Sequence, residues 1–192
     1  YGIEEETRRA ITALAGNLRQ ISAERIQAEL VKLLVSDHPD TLRVAYETGI
    51  TKVVLPEFDR CMETPQVHPH HCYGVGEHLL VSMKMVRPVK DLRLAMLFHD
   101  IGKPATLTVD EEGITHFYGH PDVSAEMTFS ILKRLKFDND TIHSVCTLVR
   151  YHDVCTGTDP SPRLVRRTVN RVGEAAFPML FEVCPTFFPS YD

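Results

Sequence analysis

The sequence lacks the features that define several classes of protein. No apolar run approaches the roughly 18 to 20 residues that a membrane-spanning helix needs, so we expect no membrane contact. The charged first residues lack the apolar core of a signal peptide. The five cysteines are scattered and form no CxxC pair, which argues against a disulfide framework and against a structural zinc site. Together these absences favour a reducing, cytoplasmic setting.

An excess of basic residues is also missing. The formal net charge is −5 over 192 residues, which argues against nucleic acid bound over the whole surface but allows a local basic face. Hydrophobic residues make up 43%, and the length suffices for one large domain or two small ones. The first residue is Tyr1 rather than Met, so we expect the sequence to be cut from a longer protein.

Hydrophobic periodicity predicts an all-α fold with one small β-hairpin. Ser22 and Asp138 are predicted to cap the N-termini of two helices. In residues 105–117 the apolar residues are no longer spaced as in a helix and flank a Glu-Glu-Gly turn, which predicts the hairpin. Apolar residues repeat at helical spacing in residues 4–19, 22–34, 75–86, 91–101, 121–135 and 138–151, and again from 161 onward.

Breaks between the helices are predicted from glycine and proline. Gly102 and Pro104 are predicted to stop the helix before them. Residues 53–57 are predicted to form a connector, because Pro56 interrupts them. Residues 177–192 contain three prolines and are predicted to fray.

Histidine is the unusual part of the composition. His99 and Asp100 are adjacent at the end of an apolar helix, where a buried carboxylate is costly without a cation or hydrogen bonds. His78 lies 21 residues before His99, His120 lies 21 residues after it, and His152 closes a later helix. Because each residue falls at or near a predicted helix end, several helices can converge on one point. Imidazoles with one bridging carboxylate suit Mn, Fe, Co, Ni or Zn, with more than one ion allowed.

A second interpretation of the His99-Asp100 pair needs no metal. An aspartate at a helix end can be satisfied by nearby backbone groups, with the histidine as a polar core residue. For the dipeptide alone the two interpretations are evenly matched, because short motifs match by chance. The three further histidines at helix ends favour the metal site.

Other polar residues have two interpretations each. Lys103 is placed to neutralise a phosphate, or it is a solvated lysine in an exposed turn. His143 is predicted to lie on a helix surface, and His116 is ambiguous. A Pro-rich loop carries three histidines that either line the mouth of the site or, as we favour, are solvated: His68, His70 and His71.

Four arginines recur at spacings of three to four residues on one predicted helix. Such a face can follow an RNA backbone, because phosphate contacts supply most of the non-specific affinity for nucleic acid. A solvated helix face is the other interpretation, and the acidic net charge supports it. The residues are Arg163, Arg166, Arg167 and Arg171.

The ordered set of metal-capable residues resembles the HD superfamily of metal-dependent phosphohydrolases. Five longer stretches resemble bacterial tRNA nucleotidyltransferases, the CCA-adding and poly(A) polymerase-like enzymes with a C-terminal HD domain. The resemblance runs from about residue 4 to residue 182. The stretches are ISAERIQAELVKLL (21–34), GITKVVLPEFDRC (49–61), HCYGVGEHLL (71–80), LRLAMLFHDIGKP (92–104) and EEGITHFYGHPDVSAEM (111–127).

The resemblance implies a division of the chain and a set of roles. Residues 1–64 would be a helical, RNA-binding neck, and residues 65–192 an HD-type helical bundle. One or two divalent ions (Mn, Ni, Co, Fe, Mg or Zn) would be held, the tighter one by His78, His99 and Asp100. His120 and His152 would serve a second ion or hold the scissile phosphate. The catalytic residues would then be Asp100, Lys103 and His120.

The same resemblance implies the partners. The substrate would be a phosphate-containing small molecule or an RNA 3′ end, and tRNA would be a further partner. The residues implied in substrate contact are Lys103, Arg163, Arg166 and Arg167. The sequence specifies no oligomeric state.

Two departures from the family pattern stand out. The nucleotidyltransferase centre, a Gly-Ser turn followed by an Asp-x-Asp pair, has no match here, so the chain resembles the neck and tail of such an enzyme. After the stretch MLFEV the family pattern supplies a further metal-binding Asp, where this sequence has Cys184. Neither Asp192 nor Asp153 is an obvious replacement, although Asp153 adjoins His152.

Two hypotheses of function follow. In the first, the chain is a metal-dependent phosphohydrolase that acts on phosphomonoesters, cyclic phosphates or small phosphodiesters. In the second, it is a binding module that holds tRNA, with a structural or relic metal site. The two functions are compatible within one chain.

Overall fold

The computed structural model describes residues 2–66, 73–155, 161–174 and 176–184. This described part is helical apart from one two-stranded hairpin, which confirms the expected all-α fold with a small hairpin. None of the helices in these ranges is both long enough and apolar enough to cross a membrane.

The first third of the chain forms short helices separated by tight turns. Helix α1 starts at Glu4, whose carboxylate accepts the backbone N–H groups of Glu6 and Thr7 at 3.1 and 2.9 Å. Gly49 adopts φ 76°, a left-handed conformation that permits the turn between two of the helices. The helices are α1 (Glu5–Leu14), α2 (Ala23–Leu34), α3 (Leu42–Glu47), α4 (Ile50–Val54) and α5 (Pro56–Glu63), with 3-10 turns at Ala15–Gln20 and Pro39–Thr41.

The rest of the chain contains longer helices around the hairpin. Strand β1 (Thr108–Val109) pairs antiparallel with β2 (Thr115–His116), so that Thr108 lies opposite His116. The helices are α6 (Val75–Met85), α7 (Lys90–Phe98), α8 (Lys103–Thr106), α9 (His120–Arg134), α10 (Asn139–Tyr151), α11 (Pro162–Val172) and α12 (Phe177–Val183), with a 3-10 turn at His152–Cys155.

Two local predictions are wrong. The predicted connector at residues 53–57 is reduced to Leu55 between α4 and α5, because Pro56 occupies the first turn of α5, where its missing N–H costs nothing. Residues 177–183 form α12 rather than frayed chain, because Leu180 and Val183 are buried against the core. The remainder of the predicted frayed segment, from 185 onward, lies outside the described residues.

Helix α7 is the centre of the molecule. All its residues from Leu92 to Phe98 are buried, and it packs against α6, α10 and α12. Helices α2, α3 and α5, with the residue just before α5, contribute to the same hydrophobic cluster through Leu34, Leu42, Leu55, Phe58 and Cys61. The chain therefore folds around one continuous core, and the end of α7 is held in place from several sides.

Gly102 is needed for close packing rather than for stopping a helix. Helix α7 already ends at Phe98, and Gly102 has φ −85°, outside the left-handed region. A Cβ atom at Gly102 would lie 2.6 Å from the backbone nitrogen of Ser124 in α9. The Ser124 hydroxyl instead accepts the N–H of Gly102 at 3.0 Å, which ties the turn after α7 to α9.

Candidate metal centre

The structure brings the four predicted histidines and Asp100 together. Nε2 of His78 lies 3.0 Å from Nε2 of His99, and Nε2 of His120 lies 3.4 Å from Nε2 of His152. Oδ1 of Asp100 lies 3.0 Å from Nε2 of His120. His78 is in the first turn of α6, His99 and Asp100 follow α7, His120 opens α9, and His152 follows α10. Helix ends thus supply every member of the cluster.

Backbone carbonyls fix the protonation of three of these histidines. Nδ1 of His99 lies 2.9 Å from the carbonyl of Met96. Nδ1 of His120 lies 2.9 Å from the carbonyl of Phe117, and that of His152 lies 2.6 Å from the carbonyl of Val149. A carbonyl only accepts, so each Nδ1 carries the proton and donates it. Each Nε2 then turns a lone pair toward the centre, as histidines that bind metals do.

The donor atoms form two groups that share one carboxylate. The first group is His78, His99 and Asp100, and the second is Asp100, His120 and His152, with the ligand atoms of each group within 4.8 Å of one another. Oδ2 of Asp100 faces the first group, 3.3 Å from Nε2 of His99, and Oδ1 faces the second. Asp100 is therefore placed to bridge two ions.

The spacing of the donors fits divalent metal. Neighbouring ligands with bonds of about 2.0 to 2.2 Å lie roughly 2.8 to 3.6 Å apart, for four- or six-fold coordination. The nearest donor pairs, at 3.0 to 3.6 Å, have this spacing. Oδ1 of Asp100 is buried without a hydrogen-bond partner among the described residues. Lone pairs that face each other in this way need a proton or a metal cation between them.

Lys103 is part of this centre and not a solvated residue. Only 8% of its surface is exposed, so the interpretation as a lysine in an exposed turn is wrong. Its Nζ lies 2.8 Å from Oδ2 of Asp100 and 5.2 Å from the centre of the Phe117 ring. Burial raises the pKa of Asp100, but His99 and Lys103 outweigh that effect and hold the pKa well below its usual value. Asp100 is thus an anion at neutral pH.

His152 has an environment that attracts positive charge. Burial lowers its pKa, but the carboxylates of Asp100 and Asp153 outweigh burial and raise the pKa above its usual value. Without metal, a proton at Nε2 would meet this demand. A metal ion bound by the second group would have to displace that proton, so its affinity would rise with pH.

One contact of the centre was not anticipated from the sequence. The Ser82 hydroxyl lies 3.4 Å from Nε2 of His78, and Ser82 is 3% exposed. Ser82 follows His78 by four residues on α6, so helical spacing was the available signal. It helps orient the most exposed histidine of the set, whose side chain is 29% exposed.

Other candidate residues lie elsewhere. His116 pairs on the hairpin with Asp110, their Nε2 and Oδ2 atoms 2.7 Å apart. His143 is exposed on α10. The loop histidines His68, His70 and His71 lie outside the described residues.

The arginine face is formed as its spacing indicated. Thr168 and Val172 are buried on α11 and turn that side of the helix toward the protein. The four arginines are exposed: Arg163, Arg166, Arg167 and Arg171.

Comparisons with known proteins agree with this arrangement. Residues 1–62 match the family described as the probable RNA and SrmB-binding site of polymerase A, and residues 70–162 match the HD domain. The CC-adding tRNA nucleotidyltransferase of Thermus thermophilus is 34% identical over 79% of this chain and 38% of its own length. The A-adding tRNA nucleotidyltransferase of Deinococcus radiodurans is 33% identical over 89% of the chain and 42% of its own length. A multifunctional CCA protein of Actinobacillus pleuropneumoniae is 32% identical over 73% of the chain and 36% of its own length.

The fold and the His/Asp cluster thus define an HD-domain protein. More particularly, the chain combines that domain with a polymerase-type RNA-binding segment, and it corresponds to the neck and HD part of tRNA nucleotidyltransferase-like proteins. The chain spans about two fifths of the length of the curated relatives it matches.

Proposed function

We propose that the HD part of this chain is a metal-dependent phosphohydrolase that acts on phosphomonoesters, cyclic phosphates or small phosphodiesters. The observation that carries the proposal is the pair of donor groups joined by the buried carboxylate of Asp100. His78, His99 and Asp100 would hold the tighter ion, and Asp100, His120 and His152 the other. We propose Mn, Ni, Co, Fe, Mg or Zn as the metal, since nitrogen and oxygen donors accept all of these.

The residues of the centre have distinct roles in this proposal. Divalent ions, when bound, lower the pKa of a water molecule and polarise phosphoryl oxygens. Asp100 orients the centre as a permanent anion. Lys103 is held beside Asp100 and neutralises the charge of the substrate phosphate. His120, whose side chain is 13% exposed, lies nearer the solvent than His99 or His152, and its Nε2 would serve either the second ion or the scissile phosphate.

Turnover of simple phosphoesters tests this function. The metal-loaded chain is assayed on a chromogenic monoester, a chromogenic diester and a cyclic phosphate, with each divalent ion in turn. We expect His99→Ala to lose more activity than the roughly 10- to 100-fold that loss of an outer-shell partner costs. His143→Ala removes an exposed histidine from α10 and should keep full activity. No turnover by the wild type with any ion, or equal turnover by His99→Ala, would contradict the proposal.

RNA binding is the second candidate function, and tRNA is the RNA we propose. The match of residues 1–62 to an RNA-binding segment supports it, together with the exposed arginines of α11. The relatives of Thermus thermophilus and Deinococcus radiodurans are tRNA nucleotidyltransferases, so tRNA is the nucleic acid on which those proteins act. We propose that Arg163, Arg166 and Arg167 contact the phosphate backbone, and that residues 1–64 form a neck beside the HD part at 65–192.

Salt-dependent binding tests this second function. The double variant Arg166→Ala, Arg167→Ala should weaken tRNA binding and lower the slope of log K against log salt by up to about 2. The double variant Lys133→Ala, Lys136→Ala removes the same charge from the end of α9 and should bind nearly as well as the wild type. Equal loss in the two variants would show only a general charge effect, and absence of binding at low salt would remove the hypothesis.

The cellular setting stays a prediction. Cys61 and Cys146 are free thiols, which supports the reducing, cytoplasmic compartment that we propose.

A further inference from the structure

Asp153 is a further carboxylate beside the second donor group of Asp100, His120 and His152. It follows His152 in the 3-10 turn after α10. Its Oδ1 lies 3.3 Å from Nε2 of His152, and its Oδ2 lies 3.4 Å from Nε2 of His120. The carboxylate therefore spans the two histidines.

The two carboxylates of this group differ in exposure. The side chain of Asp100 is 3% exposed, whereas that of Asp153 is 38% exposed. Within the described part of the chain, these are the carboxylates found within 4 Å of His120 and His152. The second group thus has one buried carboxylate, that of Asp100, and one carboxylate that is partly exposed to solvent, that of Asp153. The group whose ligand atoms all lie within 4.8 Å of one another is Asp100, His120 and His152, and Asp153 contacts the two histidines of that group.

The electrostatics of these side chains determine which species can lie between Asp153 and the two histidines. The Nδ1 atoms of His120 and His152 donate to carbonyls, so their Nε2 lone pairs face the oxygens of Asp153. Lone pairs opposed at 3.3 to 3.4 Å repel one another unless a proton or a metal cation lies between them, and a single proton serves only one of the two histidines. Protonation of both imidazoles would instead place two cations 3.4 Å apart in a largely buried site, which is costly. A divalent ion would instead accept lone pairs from the two imidazoles and from the carboxylates of Asp100 and Asp153.

We propose that Asp153 is a protein ligand of the second ion and binds it from the solvent side. This inference rests on the metal centre of the proposed function. Asp100 shares its charge between two ions, so Asp153 supplies the second group's own negative charge. Two imidazoles with two carboxylates form a harder donor set than the first group, and such a set favours an ion like Mn²⁺.

Counting bound Mn²⁺ tests the assignment without reference to turnover. Mn²⁺ is titrated into the full chain and followed by calorimetry and by the electron paramagnetic resonance signal of the free ion. We expect the wild type to bind two ions. Asp153→Ala should keep the first and bind the second more weakly by over about 100-fold, since loss of an outer-shell partner alone costs roughly 10- to 100-fold. Asp122→Ala removes an exposed carboxylate from α9 and should bind like the wild type.

The remaining outcomes are also decisive. The ion retained by Asp153→Ala shows that the variant is folded, and Asp153→Asn, of equal size, should also weaken only the second ion. Two ions bound by Asp153→Ala with unchanged affinity would overturn the assignment and leave the proposed function standing. If Asp153→Ala loses both ions while its helical circular dichroism is intact, Asp153 is not specific to the second ion, and the assignment is overturned. A wild type that binds one ion, unaffected by either variant, would overturn the inference, and a wild type that binds none would overturn both proposals.

Discussion

The orientation of single imidazole rings determines what the centre can bind. His99 and His152 directly follow α7 and α10, where the last carbonyls of a helix have no backbone partner. Those carbonyls accept the Nδ1 protons and turn Nε2 inward. The position of a histidine at a helix end therefore fixes its tautomer. A buried carboxylate between such rings is matched to a metal cation.

Lys103→Met tests the neutralisation of Asp100 in the metal-free protein. The change leaves a buried carboxylate without its closest cation, so we expect a loss of about 3 kcal/mol in the free energy of unfolding. The double variant Asp100→Asn, Lys103→Met removes both charges and should lose less than the single one. Urea unfolding in the presence of a chelator measures both. Equal stability of Lys103→Met and wild type would contradict the ion pair.

Helix ends also determine how the elements are held. Asp138 caps α10, since its Oδ1 accepts the N–H of Thr141 at 2.8 Å and its Oδ2 accepts the hydroxyl of Thr141 at 2.7 Å. These hydrogen bonds lower the pKa of Asp138 to about 2. This cap fixes the start of the helix that ends at His152.

Asp138→Ala should cost about 1 kcal/mol of stability at neutral pH, as loss of an N-cap does. The folded pKa, about 2, lies below the unfolded value of about 3.9. The ionic contribution is therefore complete above about pH 4 and is lost as the pH falls toward 2. Denaturant unfolding of both proteins from pH 7 to pH 2 measures the difference. A difference that grows as the pH falls would contradict the cap.

Gly102→Ala tests the contact between the turn after α7 and α9. The new Cβ would meet the Ser124 backbone at 2.6 Å, so we expect a loss on the order of 1 to 3 kcal/mol. His120 on α9 would move away from Asp100, so metal affinity should fall too. Gly16→Ala, which meets no atom within 4 Å, is the matched control. Thermal unfolding and metal titration measure both effects, and Gly102→Ala that equals Gly16→Ala in both would contradict the contact.

The elements show which parts of the fold could be predicted. The cap at Asp138 is a local feature, and the sequence predicts it correctly. Ser22 occupies the predicted N-cap of α2, but its side chain makes no capping hydrogen bond. The burial of Leu180 in α12 and the need for glycine at position 102 depend on distant segments, so local patterns do not reveal them. The burial of Lys103 likewise depends on how the turn after α7 packs.

More of the candidate metal centre than of the packing around it could be predicted from the sequence. The spacing of His78, His99 and His120, each at or near a helix end, indicated one cluster before its geometry was known. The approach of Asp153 could not be predicted, because adjacency to His152 does not determine where a carboxylate points.

On the scale of the whole molecule, the neck-like helices and the HD part share one core. Among the residues that the structure describes, three ion pairs join them: Arg43 with Glu77, Asp40 with Lys84, and Glu57 with Arg134. Exposed pairs contribute little, so the buried apolar residues carry most of the attachment. Phe58 of α5 is 0% exposed within the cluster that contains α7.

Phe58→Ala should therefore destabilise the entire described fold and not the first helices alone. We expect a loss of about 3 to 5 kcal/mol in a single unfolding transition. Helical circular dichroism and the release of bound metal should report the same lowered midpoint. Two separate transitions, with metal release unaffected, would contradict the shared core.

The metal content of purified protein tests the central claim most directly. Elemental analysis is made on wild type, Asp100→Ala and the exposed control His143→Ala, before and after divalent ions are offered. The account predicts at least one bound ion per chain in wild type and control, and loss of that ion in Asp100→Ala. If the wild type is empty and stays empty after metal is offered, the cluster of His78, His99, Asp100, His120 and His152 is not a metal centre, and the account is contradicted.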